Sequence, residues 1–183
     1  MIVGIDEVGR GCWAGPVVAG AVLLKKPIQG LKDSKKLTRL QRERLDAEIR
    51  VSAQAFGLGW VTAAEVDDVG LTEAVRLAME RALACITAPY DELVIDGNHN
   101  YFPNIACSRA LIGADNLVPE VSAASIIAKV ARDHFMAAQS TQFPGYAFEQ
   151  HVGYGTAAHR AAISSLGLCE LHRRSFKPIQ AFA

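Results

Sequence analysis

Apolar residues in this chain recur with two periods, and the alternation between them predicts the elements. Residues 1–8 (MIVGIDEV) and 17–24 (VVAGAVLL) are short, β-branched runs with Gly and Pro between them, the pattern of buried strands. AFGLGWV at 55–61, ELVID at 92–96 and NIACSRAL at 104–111 predict three more. Helical spacing takes over in LTRLQRERLDAEI, where Thr38 and Gln41 stand at the separation of a capping box. Thr62 and Glu65 repeat that separation before a short helix, and LTEAVRLAMERALACI keeps an apolar face through residue 86. EVSAASIIAKVARDHFMAAQ predicts a long helix, and a further one follows Thr156. Strands first, then strands alternating with helices, give an α/β fold: a mixed five-stranded sheet flanked by helices, with a C-terminal helical segment. At 183 residues, half of them apolar, the chain is expected to form one domain over residues 1–183.

Composition narrows the setting. No apolar run approaches the ~20 residues of a membrane span, and the N-terminus lacks the basic-then-apolar succession of a secretory signal, so a cytoplasmic protein is expected. Cys12, Cys85, Cys107 and Cys169 form no C-x-x-C pair and read as reduced thiols. Charge cancels overall but not locally. Residues 25–50 hold nine Lys or Arg against four acids, and residues 151–183 hold four against one, with three histidines added. Residues 59–100 hold eight acids against two bases. Such segregation fits a protein that binds a polyanion on basic surfaces and cations on an acidic one, although ordinary solvated helix faces give similar runs.

The strand pattern is broken in one place. Asp6 and Glu7 stand side by side in an otherwise apolar run, and burying ionised carboxylates is costly unless something positive meets them. Asp96 ends the ELVID strand before the turn GNHN, at the rim of a sheet where ligands of open α/β folds bind. If the first and fourth strands are neighbours, three carboxylates converge, and a shared hard divalent cation relieves their repulsion. Oxygen donors without Cys or imidazole favour Mg²⁺ or Mn²⁺ over zinc. Successive side chains of a strand point to opposite faces, so the strand is expected to end or twist at Glu7, with Gly9 and Gly11 permitting the turn. GRGCWA at 9–14 matches a loose dinucleotide fingerprint, but Pro16 leads into a strand rather than the required helix, and that reading is rejected. No G-x-S-x-G turn supports a serine nucleophile.

Six words of the sequence together resemble type 2 ribonuclease H (ribonuclease HII): GIDEVGRG at 4–11, DSKKL at 33–37, VIDGN at 94–98, VSAASIIAKVARD at 121–133, GYGT at 153–156 and HRRSF at 172–176. They run in that family's order over nearly the whole chain and imply a ribonuclease H-like fold. Type 3 relatives usually differ at the position of Arg10 and carry an extra N-terminal domain. The resemblance implies that Asp6, Glu7, Asp96 and Asp115 are the catalytic carboxylates, holding two divalent ions, Mg²⁺ or Mn²⁺. It implies an endonuclease that cuts the RNA strand of RNA/DNA hybrids and the 5′ side of a single ribonucleotide in duplex DNA, leaving 3′-hydroxyl and 5′-phosphate ends. Two metals roughly 4 Å apart suit that in-line displacement, and no protein nucleophile is needed.

The same resemblance assigns the substrate contacts. Backbone groups of Gly9, Arg10 and Gly11 would read the 2′-hydroxyl, the group that distinguishes RNA from DNA, and Tyr154 would pack on the sugar of the following deoxynucleotide. Ser34, Lys35 and Lys36, before a helix, and Ser122, Ser125 and Lys129, on one helix face by spacing, are candidate phosphate contacts, followed by Arg173 and Arg174. His99, three residues after Asp96, could shuttle protons, though a loop histidine is often incidental. Cys12 and Trp13 stand where many members have Pro and Leu, and the segment after Asp115 lacks a lysine often found there. Glu120 and Asp133 therefore remain rivals to Asp115, Asp133 being better explained as pairing with a nearby Arg. A non-catalytic hybrid-binding module and a nucleotide-cofactor enzyme are the competing readings; a monomer with no membrane partner is expected.

Overall fold

The computed structural model describes residues 1–182 and contains a five-stranded sheet in the order β3-β2-β1-β4-β5. The strands are β1 (Ile2–Val8), β2 (Val17–Leu24), β3 (Ala53–Val61), β4 (Glu92–Asp96) and β5 (Ser108–Leu111). β1, β2 and β3 pair antiparallel, whereas β1, β4 and β5 pair parallel, so β1 lies where the two halves of a mixed sheet meet. The helices are α1 (Arg39–Ser52), α2 (Ala63–Val69), α3 (Leu71–Leu83), α4 (Ala114–Leu117), α5 (Pro119–Gln142), α6 (Phe148–His151), α7 (Ala157–Leu166) and α8 (Lys177–Gln180), and Ser34–Lys36 forms a 3₁₀ turn.

Both expected capping boxes form, at Thr38 with Gln41 and at Thr62 with Glu65, and each satisfies backbone N–H groups that the first helical turn would leave orphaned. Three elements differ from their sequence patterns. The third helical pattern stops at Leu83, and residues 84–85 form a turn. The fifth strand begins only at Ser108, because Asn100 accepts from the Phe102 N–H and donates to Ser108, imposing turns on the preceding segment. β1 does not end at Glu7. Its ladder with β2 continues through Glu7↔Ala19 and Val8↔Val18, although its pairing with β4 ends at Ile5↔Ile95.

Burial follows the period of two. Val3 and Ile5 of β1 join Leu93 and Ile95 of β4 in the core beneath α3, packed on Val75, Ala78, Met79 and Ala82. On the opposite face, Ala123, Ala124 and Ile127 of α5 meet Val22 of β2 and Leu45 and Ile49 of α1. α5 lies so close to β1 that a Cβ on Gly4 would come within 2.2 Å of the Glu120 and Val121 backbone. Asp6 shares that face two residues on, so this close approach brings the middle of α5 over the first carboxylate.

Candidate active site

Each strand carries an acid just where β1 and β4 part. Asp6 lies one residue past the last β1–β4 pair, and Asp96 closes β4 while still paired with Leu111 of β5. The chain then turns through Gly113 into α4, where Asp115 occupies the first turn. The Asp115 backbone N–H donates to Asp96 Oδ1 at 3.4 Å. Asp6, Asp96 and Asp115 each offer a carboxylate oxygen, and the three oxygens lie within 4.8 Å of one another.

Electrostatics makes this an expensive arrangement in the absence of a cation. Burial, reinforced by Glu7 and Asp96, pushes the Asp6 carboxyl well above its usual range, although Ser125 and the Glu7 N–H favour its charged form. Burial also raises Asp115, with Asp96 and Asp33 adding repulsion. Glu7 is raised by burial, opposed first by Arg10, whose Nη1 lies 3.5 Å from Glu7 Oε1. Glu7 is outside the group of three oxygens, as continuous strand geometry requires, yet its charge acts on both Asp6 and Asp96. An all-oxygen donor set with mutual repulsion fits a hard divalent cation, which replaces the repulsion with coordination.

A cavity of about 150 Å³ lies against this cluster, lined by Asp6, Glu7, Ser34, Lys35, Ser125, Lys129 and Tyr154 among others. Ser34 and Ser125 are joined hydroxyl to hydroxyl at 3.0 Å, which fastens the 3₁₀ turn to α5. Lys35 and Lys36 are exposed, and Lys36 Nζ donates to Asn116 at 2.5 Å, beside Asp115. Lys129 is 5.8 Å from the centroid of the Tyr154 ring. Gly9 has φ +88, and a Cβ there would strike Arg132 at 2.3 Å, so the protein itself demands this glycine. Gly11 is different: a Cβ there would meet nothing within 4 Å, leaving its backbone open to a ligand.

Several expected contacts are placed elsewhere. Ser122 is buried, its hydroxyl donating to the carbonyl of Asp115 at 2.6 Å, so it supports the segment that bears that carboxylate. Arg173 is fully buried and donates to the carbonyls of Gly15 and Arg10 at 2.8–3.0 Å. It braces the turn rather than meeting solvent, and burial lowers its pKa to about 10. Arg174 is exposed, and its backbone is held by Asp67. His99 is exposed and packs edge-on against Tyr101. Of the rivals to Asp115, Glu120 senses the N-terminal ammonium at the far end of β1, and Asp133 pairs with Lys129 at 2.9 Å rather than with an Arg. Neither belongs to the acidic cluster.

Sequence reasoning missed Arg132. It is fully buried and donates from Nε to Pro16 O at 2.9 Å, from Nη1 to Val152 O at 2.9 Å and from Nη2 to Ala14 O at 3.1 Å. An Arg inside an otherwise apolar helix pattern was the available signal. It also missed the proximity of Asp33 to Asp115, which depends on the 3₁₀ turn meeting α4, and the bond from the adjacent Asn116 side chain to the Asp115 carboxylate.

Comparison with known proteins points one way. The model of the family described as Ribonuclease HII matches residues 3–179. The ribonuclease HII of Nitrosococcus oceani is 48% identical over 183 residues, covering 99% of this chain and 90% of its own length. That of Halorhodospira halophila is 48% identical over 181 residues, covering 98% and 93%. The crystal structure of ribonuclease H2 from Pyrococcus horikoshii superposes with a TM-score of 0.84 at 26% identity, covering 99% of this chain and 96% of that one.

Proposed function

The chain belongs to the ribonuclease HII family and is a metal-dependent endoribonuclease, and from that premise we propose how its residues divide the work. It is read as a single catalytic domain over residues 1–183, acting as a monomer in the cytoplasm on RNA/DNA hybrids and on duplex DNA with one embedded ribonucleotide. Among the described residues no helix is long and apolar enough to cross a membrane. Asp6, Asp96 and Asp115 would hold two divalent ions, Mg²⁺ or Mn²⁺, with Glu7 completing the set. The single observation that carries this reading is the convergence of three carboxylate oxygens within 4.8 Å at the fork of β1 and β4.

Divalent ions held by these carboxylates would activate water and stabilise charge on the leaving 3′ oxygen. The chain's own residues do the rest. Lys35, Lys36 and Lys129 receive phosphates, with Ser34 and Ser125 lining the cavity between them. The backbone of Gly9, Arg10 and Gly11 meets the 2′-hydroxyl, and Tyr154, 41% exposed at the cavity wall, packs on the next sugar. Water adds to phosphorus as the bond to the 3′ oxygen breaks, giving a 3′-hydroxyl and a 5′-phosphate.

The test is an end-labelled duplex carrying one ribonucleotide, incubated with the protein and Mg²⁺ or Mn²⁺. A single cut on the 5′ side of the ribonucleotide, abolished by chelation, is expected. Undiminished hydrolysis under exhaustive chelation would overturn the reading. Tight binding of the duplex without cleavage under both metals would replace it with a binding module.

A further inference from the structure

Behind Tyr154 lie three histidines that the proposed chemistry does not use. His159 is fully buried, and His151 and His172 are 6% and 2% exposed. Each one's protons can be assigned from its partners, because a backbone N–H can only donate and a carbonyl can only accept. His172 Nδ1 lies 2.9 Å from the Cys169 N–H and 3.2 Å from the Cys169 carbonyl; because the Tyr154 carbonyl requires a donor from His159 Nδ1, His172 Nδ1 is the acceptor and its neutral ring carries the proton on Nε2. That Nε2 faces His159 Nε2 at 3.1 Å, which must then accept, leaving the His159 proton on Nδ1. His159 Nδ1 donates to the carbonyl of Tyr154 at 2.9 Å. His151 is assigned the same way, Nδ1 accepting from Gly153 N–H at 3.2 Å and Nε2 donating to Tyr146 O at 2.7 Å.

The result is a one-way chain of donors that ends on the backbone of Tyr154. His151 stacks on His159 with centroids 4.3 Å apart, and Phe148 packs edge-on to both, so the rings cannot turn to another pairing without disrupting the core. The loop they hold is strained. Val152, a β-branched residue, sits at φ 45 and ψ 34, a left-handed conformation that persists only when its surroundings over-determine it. On the other side the loop is tied to the glycine turn, since Trp13 and Ala14 both donate to the carbonyl of Gly153.

We propose that His159, oriented by His172, is a positioning residue that sets the height and angle of Tyr154 above the cavity, and so governs discrimination at the junction between a ribonucleotide and the following deoxynucleotide. This rests on the reading of Tyr154 given above. The geometry makes a specific demand: a donor at the position of His159 Nδ1. An asparagine places its amide nitrogen near that position, whereas a glutamine reaches the position of Nε2 and leaves the Tyr154 carbonyl without this partner.

The experiment compares His159→Gln, His159→Asn and Tyr154→Ala on two substrates, a duplex with one ribonucleotide and a continuous RNA/DNA hybrid, and reads the ratio of the two kcat/KM values. A structural lesion lowers both rates together and leaves the ratio alone. The proposal expects the ratio to fall about 10-fold in His159→Gln, as misplacement near a reacting centre does, and to be largely restored in His159→Asn. Should His159→Gln not fold, His172→Asn reads the same ratio, since it keeps an acceptor for the Cys169 N–H and removes only the donor to His159. An unchanged ratio in these variants, beside a reduced ratio in Tyr154→Ala, overturns the positioning role alone. Equal ratios in Gln and Asn variants also overturn it. An unchanged ratio in Tyr154→Ala overturns the reading of Tyr154 and the positioning role with it.

Discussion

Two buried polar regions flank the cavity, and they are built on opposite principles. On one side, Asp6 and Asp115 are kept from ionising easily by burial and by neighbouring acids, and the protein supplies few donors to relieve them. On the other, Arg132, Arg173 and the three histidines direct their polar atoms to carbonyls, N–H groups or one another at 2.7–3.2 Å. The second region is complete within the chain, so it is scaffold. The first gathers like charges with few donors of its own, which supports its reading as a site. Buried charge alone does not separate the two; whether the chain itself satisfies that charge does.

Four substitutions or conditions press on this contrast. The largest effect is expected from Asp96→Asn, which removes charge from the incomplete region: kcat on the single-ribonucleotide duplex should fall on the order of 10³-fold, with the melting temperature unchanged or raised. In the complete region, Arg132→Met leaves two buried carbonyls and a part-buried one without their donor and should destabilise the fold by about 3 kcal/mol, read from urea unfolding.

Acid should act on the complete region next. His159 is lowered by burial from 6.5 to about 4, with the Tyr154 carbonyl opposing and His151 and His172 adding to the shift. His172 is lowered by burial too, with Cys169 opposing and Arg174 and His151 adding to the shift. The unfolded chain therefore binds more protons between those values, so stability is fully present above pH 6.5 and declines as pH falls toward 4. Unfolding followed across that range should show the decline, and His159→Asn should flatten it. The smallest effect is a gain. Asp6→Asn in metal-free protein removes a raised carboxyl and should increase the melting temperature by about 2–4 °C, the shift that roughly 1 kcal/mol gives in a chain of this size. Added Mn²⁺ should raise the melting temperature of the parent and leave that variant unmoved.

Local physics made much of this legible. β1, β2 and β4 could be read because β-branched runs between Gly and Pro admit few alternatives, and both capping boxes because the bonds involved span three residues. Asp6 and Asp96 stood out as charges ending apolar runs. Partners far along the chain were not legible. Arg173 read as a surface cation because the carbonyl it serves on Gly15 is 158 residues away. Ser122 shares a helix face with Ser125 and Lys129, yet the packing of α4 against α5 turns its hydroxyl to Asp115. The late start of β5 escaped notice because side-chain bonds from Asn100, rather than periodicity, shape the segment before it.

The guanidinium of Arg132 grips Ala14, Pro16 and Val152 at once, so the glycine turn and the tyrosine loop move as a single jaw. The opposing wall, the short turn bearing Lys35 and Lys36, is fastened by the Ser34–Ser125 hydroxyl pair to α5, by Lys36 to Asn116 and by Leu37 to the core beneath α5. In the proposed function this jaw carries the groups that meet the sugar, and the opposing wall those that meet the phosphates.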